Sequence, residues 1–481
     1  MKKTLFLQAP SFDGYDGGAG ARYQMKREVK SFWYPTWLAQ PAAMVEGSRL
    51  IDAPAHDQSW DDIAHEVDGK ELVILHTSTP SFGQDVRTAA LIKARNPHAL
   101  VGFVGAKVAI EPDQSLAASR DIDFVAREEY DFTILEIAEG KPLAIVDGIT
   151  WRAPDGSFIR NRDRAIIEDM DLLPMVSPVY KRDLKIENYF GGYLRHPYVS
   201  FYTGRGCKSR CTFCLWPQTI SGHNYRFRSV PKVIEEVQYI LREIPETKEI
   251  FFDDDTLTDN HDRVMDLARA LGELGFGKPG FRVSWSCNAK ANVPRRVLEV
   301  LKENGLRLLL VGYESGNQQI LHNIKKGLRI DVAKQFTKDC HDLGIVIHGT
   351  FILGLPGETL ETIEETINYA KEINPHTIQV SLAAPYPGTF LYKQATENGW
   401  FDNTNELLTD GGTQIAQLSY PHLHASVIFD KVEEFYKRFY FRPRKIGSIV
   451  GEMVRDFDMM KRRLREGVEF FSFLHNRKKA A

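Results

Sequence analysis

Three cysteines crowd into one short stretch, Gly204-Arg205-Gly206-Cys207-Lys208-Ser209-Arg210-Cys211-Thr212-Phe213-Cys214. The whole chain has only 5 cysteines, so this grouping is not general cysteine usage. Thiolates this close together bind a metal or a cluster. A closed structural zinc site takes four nitrogen or sulfur ligands, and His223 or His196 could complete one here. A [4Fe–4S] cluster also takes four ligands. With three cysteines supplied, one iron would remain for a ligand that is not protein.

These residues need elements to carry them. Tyr198-Val199-Ser200-Phe201-Tyr202 is a buried strand by pattern and delivers the loop. Beyond it, strands and helices alternate to about residue 395. Each strand stops at a polar or Gly-rich group: Asp253-Asp254-Asp255, Asn288-Ala289-Lys290, Gly312-Tyr313-Glu314-Ser315-Gly316, Gly354-Leu355-Pro356-Gly357, and Ala384-Pro385-Tyr386-Pro387-Gly388. In a βα barrel the strand-end loops converge on one face, and function sits there. Residues 1–148 also alternate, with apolar runs at 4–8, 72–76, 101–105 and 123–126. That rhythm predicts a doubly wound α/β domain, which binds ligands outside the carboxyl ends of its strands. Its lip would be 11–20, 76–81 and 105–107. The expected order is therefore a Rossmann-like domain over 1–148, a linker with a small Asp155-Gly156 hairpin over 149–197, a partial βα barrel over 198–398, and a basic, aromatic helical region over 399–481.

The Cys-x3-Cys-x2-Cys spacing, with Phe213 before the last cysteine, resembles the radical S-adenosylmethionine (SAM) superfamily. Gly-Tyr-Glu-Ser-Gly and Leu-Gly-Leu-Pro-Gly follow in that family's order. The resemblance implies that Cys207, Cys211 and Cys214 hold a [4Fe–4S] cluster and that SAM takes the fourth iron. It implies that Asp254 and Asp255 accept from the SAM amino group, where charge-assisted bonds are the stronger ones. Asn288 is expected to contact the cofactor, and Lys290 falls near the SAM carboxylate, although relatives carry Arg there and Lys lacks the bidentate fork. Glu314 and Ser315 fall at the ribose, and Phe213 and Leu353 at adenine. The first domain resembles the cobalamin-binding domain of one large radical SAM class. Asp-x-His-x-x-Gly is absent around His76, so cobalamin is expected without a histidine on cobalt.

Taken whole, the chain resembles the hopanoid-biosynthesis-associated radical SAM proteins. The match runs through Ala9-Pro10-Ser11-Phe12-Asp13-Gly14, Ser31-Phe32-Trp33-Tyr34-Pro35-Thr36-Trp37, and residues 203–218, 286–291 and 380–389. This implies a hopanoid lipid substrate, glucosaminyl bacteriohopanetetrol, whose sugar ring contracts to a cyclitol ether. It also implies an external electron donor of the flavodoxin or ferredoxin type. Cobalamin-dependent methylation of a lipid is the alternative reaction, and a non-enzymatic iron–sulfur or zinc module the alternative class. Gln379, Tyr386, Trp216 and His223 are the candidates for handling substrate.

The composition, 43% hydrophobic and 26% charged with net charge −3, is that of a globular protein. No apolar run approaches the ~20 residues that span a bilayer. The apolar run after Met1-Lys2-Lys3 is too short for a signal peptide, and scarce cysteine fits a reducing, cytoplasmic setting. Residues 431–481 differ, with 14 Lys and Arg against 7 Asp and Glu and interleaved aromatics. They read as a packed helical cap or as a peripheral contact with an anionic bilayer. No RNA-binding appendage follows the barrel, so nucleic acid is not an expected partner.

Overall fold

The computed structural model describes residues 1–12, 31–401 and 416–455. The expected lip over 13–20, Asp13-Gly14 of the opening motif, and 456–481 of the basic tail lie outside the described residues.

The first domain is a seven-stranded sheet of order β2-β1-β3-β4-β5-β6-β7. Its members are β1 (Thr4–Gln8), β2 (Arg49–Asp52), β3 (Leu72–His76), β4 (Leu100–Val104), β5 (Phe124–Ala126), β6 (Ile149–Arg152) and β7 (Phe158–Arg160). The first five pair in parallel. Their near-continuous apolar runs follow from burial on both faces. Order 2-1-3-4-5 reverses between β1 and β3, which opens a crevice at their carboxyl ends. The Asp155-Gly156 hairpin, expected in a linker, instead pairs antiparallel with β5 and extends this sheet.

The second sheet has six strands in sequential order: β8 (Tyr198–Phe201), β11 (Glu249–Phe252), β12 (Ser284–Ala289), β13 (Leu306–Glu314), β14 (Val346–Leu353) and β15 (Thr377–Leu382). All are parallel with helices between them, giving the partial βα barrel. Two short strands, β9 (Gly204–Arg205) and β10 (Arg226–Phe227), pair antiparallel above it.

Alternation along the barrel strands divides their side chains between two faces. Val199, Ile250, Trp285, Leu309, Phe351 and Val380 are buried beneath the helices. Ser200, Phe251 and Ser286 share one register on the lumen face. Trp33 lies 5.5 Å from the Phe251 ring and Tyr193 lies 4.2 Å from the His348 ring, so these two aromatics floor the lumen.

One core runs through both domains. Phe6, Leu72 and Ile74 of the first sheet belong to the same buried cluster as Phe251 and Leu309 of the second. The segment Ser31–Trp37 forms the joint. Tyr34 stacks on Tyr189 at 4.2 Å and donates its hydroxyl to the Tyr198 carbonyl at 2.7 Å. The helix Ala425–Tyr440 covers the open edge of β15. Ile378 and Val380 N–H donate to the hydroxyls of Tyr440 and Tyr436 at 2.9 and 2.8 Å. Its aromatic stripe therefore satisfies a sheet edge, a feature proteins must protect.

Candidate active site

The thiol loop leaves from β9 and returns through β10. Gly206 starts it at φ +91, where a Cβ would fall on the Asn224 carbonyl. Only glycine meets both demands. Inside the loop, Gln218 acts as a brace. Its Nε2 donates to the carbonyls of Cys211, Thr212 and Cys214 at 3.2, 3.3 and 2.7 Å. Its Oε1 accepts from Phe390 N–H at 2.9 Å. Thr212 N–H donates to the Ile324 carbonyl at 3.0 Å. Loop, barrel strand ends and the helix Phe390–Asn398 are thus tied at one place.

Cys207 and Cys211 are buried and Cys214 is partly so; all three thiols are free. Burial pushes the Cys211 and Cys214 thiols above their ordinary range, and Asp255 adds to this at Cys214. Among the described residues no three His, Cys, Asp or Glu side chains converge on one point as ligands of a single ion. His223 Nδ1 lies 3.3 Å from the Cys207 carbonyl and 2.9 Å from that of Ser209, so this ring supports the loop backbone. His196 is engaged with the Tyr189 carbonyl at 3.1 Å. A closed zinc site is not built here. Three soft thiols in one short loop suit a cluster that keeps one iron for another ligand.

The strand ends sort the remaining candidates. Asp254 is wholly enclosed: Thr203 N–H and Oγ1 and the Tyr225 hydroxyl donate to it at 2.6, 2.7 and 2.7 Å. Burial pushes its carboxyl upward against the pull of Arg263 and these donors. It is held at the strand end by Thr203 and Tyr225, with its carboxylate oxygens already engaged. Asp255 does face the loop, with Ser221 Oγ 3.3 Å away. Asn288 donates to the Asp254 carbonyl at 2.9 Å. Lys290 is held 2.5 Å from Asp259.

Glu314 sits at φ +63 beside an irregularity in the β13 register. A non-glycine residue enters that region at a cost of about 1–3 kcal/mol, and such strain gathers at functional sites. Its carboxylate pairs with Lys326 at 2.6 Å. A Cβ on Gly312 would fall on that carboxylate and lie 2.8 Å from Lys326 Nζ, so glycine makes room for the pair. Burial opposes the charge on Lys326, but Glu314 and the neighbouring Cys211 outweigh it and hold the ammonium above its usual range. Sequence reasoning missed Lys326, whose only signal was the tandem Lys325-Lys326-Gly327.

Ser315 is buried and turns away, its Oγ 3.1 Å from Thr366 Oγ1. Leu353 is buried on the helix-facing side, with its carbonyl taken by Ala383 N–H at 2.8 Å. Both are packed in the core of the barrel. Phe213 is half-buried against the core.

The substrate candidates do not form one constellation. Gln379 is exposed on the lumen face of the edge strand β15. Trp216 stacks on Trp37 at 5.0 Å and 4°. Trp216 and Tyr386 meet His76, Thr77, Ser78, Thr79, Ala106 and Leu215 around a narrow pocket at the mouth of the β1/β3 crevice. The first domain thereby faces the loop that carries the thiols. Buried ion pairs lock that junction: Arg205 to Asp131 at 2.6 Å, Arg226 to Glu129 at 2.8 Å, with the Arg205 guanidinium 4.6 Å over Trp37.

A doubly wound domain set against a partial barrel, with three thiols at the strand ends between them, is the architecture of a radical-generating cluster enzyme. Residues 201–370 match the Radical SAM superfamily. An uncharacterized methyltransferase of Pyrococcus horikoshii is 30% identical over 441 residues, 87% of this chain and 90% of the relative. The anaerobic magnesium-protoporphyrin IX monomethyl ester cyclase of Rubrivivax gelatinosus is 25% identical over 409 residues, 82% and 70% of the two chains. The radical SAM methyltransferase TsrM of Kitasatospora setae, solved with cobalamin and a [4Fe-4S] cluster, shares the fold at TM-score 0.66 and 16% identity, covering 92% of this chain and 86% of that one. The chain belongs to the radical SAM superfamily. Its cofactors are accordingly a [4Fe–4S] cluster and SAM. Cys207, Cys211 and Cys214 are the residues that would hold the cluster, and bound together the two groups would supply a 5′-deoxyadenosyl radical, a strong abstractor of hydrogen. Asp255, Glu314 and Lys326 are the charged groups this chain brings to the thiols, an acceptor set for an ammonium and a donor for a carboxylate.

Proposed function

We propose that this chain acts in hopanoid biosynthesis as a radical SAM enzyme of the HpnJ type. It contracts the glucosamine ring of glucosaminyl bacteriohopanetetrol to the cyclitol ether. One observation carries the reading. Apart from the opening segment, the segments in which the chain resembles the hopanoid-associated proteins reach the site. Trp33 floors the lumen against Phe251, and Trp37 stacks on Trp216. Residues 203–218 form the thiol loop, and Tyr386 walls the junction pocket.

The chain's part in such a reaction is placement. A ring carbon must be held beside the adenosyl group, and orientation of this kind is worth about 7–11 kcal/mol at best. A sugar suits flat aromatic faces with polar groups at their edges. Trp33 and Tyr193 provide faces, while Asn288, Thr350, Gln379 and Ser381 provide polar groups along the strand ends. Cobalamin would sit at the β1/β3 crevice, whose mouth is formed by His76, Thr77, Ser78, Thr79 and Ala106. The cobalamin in the TsrM structure supports that placement.

Cobalamin-dependent methylation of the same lipid class is the second reading, favoured by the methyltransferase name of the Pyrococcus relative. Product mass separates the two. Incubation with the glucosaminyl lipid, SAM and a reductant yields an isomer of the substrate if the ring contracts. A product heavier by one methylene would establish methylation and sink the contraction.

A cytoplasmic enzyme with a lipid substrate also needs a bilayer contact. Among the described residues no helix is long and apolar enough to cross a membrane. The expected contact over 431–481 narrows, because Phe435, Tyr436 and Phe439 are buried against the barrel. Among the described residues the apolar surface left there is Phe441 with Ile446 and Val450 on the helix Pro443–Arg455, which are 52%, 44% and 50% exposed.

A further inference from the structure

The turn after β3 gives Thr77, Ser78 and Thr79 to the pocket at the crevice mouth. Asp85, in the first turn of the helix Phe82–Arg95, is 2% exposed. Ser81 Oγ lies 2.7 Å from its Oδ2, and the Thr77 hydroxyl donates to the same carboxyl. Ser81 Oγ also lies 2.9 Å from Ser78 Oγ. The backbone holds both serines: Ser78 N–H donates to Ser81 Oγ at 3.0 Å, and Ser81 N–H to Ser78 Oγ at 3.3 Å. A carboxyl closed off from water is therefore joined, through one hydroxyl, to a second hydroxyl on a residue that lines a pocket.

Each hydroxyl has one proton to give and two lone pairs to fill, and this gives the chain of bonds two states. With Asp85 ionised, Ser81 gives its proton to the carboxylate. Its lone pairs then take the N–H and the hydroxyl of Ser78. Ser78 Oγ, having accepted from Ser81 N–H, keeps one lone pair for the pocket. With Asp85 protonated, the carboxyl donates to Ser81, and Ser81 turns its own proton to Ser78 Oγ. Both lone pairs of Ser78 are then filled and its proton is left for the pocket. Ser78 is an acceptor at the mouth in the first state and a donor in the second.

Burial raises the Asp85 carboxyl from 3.8 to about 7, against the pull of Thr77 and Ser81, so both states are reached near neutral pH. The charged neighbours are engaged with other groups. Lys107, on the helix Ala106–Ile110, pairs with Glu111 and lies 5.5 Å over the Phe82 ring. The Arg87 guanidinium, on the same helix as Asp85, lies 4.1 Å over Phe12. Residues 77–81 and β4 bring no charged side chain. His76, at the end of β3, is the other titratable group at the mouth.

We propose that Asp85 is a proton-holding positioning residue: through Ser81 it turns the Ser78 hydroxyl into a donor at the crevice mouth, and a ligand that presents carbonyl oxygens there, as the amide side chains of a corrin do, binds to that state. A ligand that covers the mouth also shuts the carboxyl further from water, which favours the same neutral form. Only a proton moves: the carboxylate takes it from solvent, and no other bond is made or broken. The proposal rests on the crevice being the cobalamin site.

The test measures binding of cyanocobalamin to the full chain by equilibrium dialysis at pH 6 and pH 8, one unit on either side of the Asp85 value of about 7. This probe carries the corrin amides and does not itself titrate in that range. The dissociation constant of the wild type should rise about tenfold from pH 6 to pH 8, the ratio of the protonated fractions. Asp85→Asn cannot change state and should bind equally at both. Ser78→Ala cuts the link but leaves the carboxyl, and should bind more weakly at pH 6 and show little of the step. Infrared difference spectra of the ligand-free chain between the two pH values should show a protonated carboxyl being lost in the wild type and in Ser78→Ala, and not in Asp85→Asn. Equal wild-type binding at the two pH values would overturn the proposal. A step that survives in Asp85→Asn would assign it to His76, and a full step in Ser78→Ala would remove the relay; either overturns it. A wild-type chain that shows the infrared change and binds no corrin at either pH would instead refute the crevice reading beneath it.

Discussion

Glu358 closes the Leu-Gly-Leu-Pro-Gly turn by accepting from Gly354 and Leu355 N–H at 2.6 and 3.2 Å. Burial pushes its carboxyl from 4.5 up to about 8. Below pH 4.5 folded and unfolded chains both keep the proton. As pH rises from 4.5 to about 8 only the folded chain keeps it, so the unfolded state gains and stability falls through that window. Glu358→Gln keeps an acceptor for both amides and removes the titration. Its melting temperature should fall less than that of the wild type between pH 5.5 and 8; identical slopes would refute the assignment. Gln218→Ala removes the brace of the thiol loop. Lost hydrogen bonds of this sort cost about 1–2 kcal/mol, so the cluster should be stripped by chelator about tenfold faster, and an unchanged half-life would show the brace to be idle. The cysteines were legible because their spacing is local. Gln218 and Lys326 were not, because their meaning lies in contacts with Phe390 and Glu314. The burial of Ser315 and Leu353 was not legible either, because a motif names residues but not the face of a strand they occupy.

At the scale of elements, the alternation of strands and helices was readable because parallel strands buried on both sides are short apolar runs. The hairpin β6–β7 was not. Its sequence gives a turn, whereas membership of a sheet depends on pairing with β5, which only the folded chain reveals. The segment Ser31–Trp37 was read only as part of a family resemblance, not as a joint. Its partners, Tyr189, Tyr198 and Trp216, come from two distant segments. The junction ion pairs make a prediction at this scale. Arg205 and Asp131 are both about 2% exposed in their side chains. Breaking one buried pair strands a charge, at about 3–5 kcal/mol. Arg205→Ala should lower stability to chemical denaturation by that amount; a loss under about 1 kcal/mol would mean the pair is solvated in solution.

At the scale of the molecule, the chain reads as two α/β units fused through one core, with a C-terminal helix sealing the barrel edge. The basic residues nearest the barrel are spent on it: Arg438 pairs with Glu364, and Arg442 donates to the Lys371 carbonyl at 2.8 Å. The membrane contact we propose uses the exposed apolar face beyond them, Phe441, Ile446 and Val450. The full chain should float with anionic vesicles and not with neutral ones, and Ile446→Asp with Val450→Asp should abolish flotation. Equal flotation of the variant would move the contact elsewhere. The central claim is that three thiols hold a cluster that works on SAM. Its most direct test is reductive cleavage of SAM by protein prepared without oxygen, read together with metal content. The account predicts iron and sulfide near about four each per chain, 5′-deoxyadenosine formed on reduction, and loss of both in Cys211→Ala. Zinc without sulfide, and no 5′-deoxyadenosine, would contradict it.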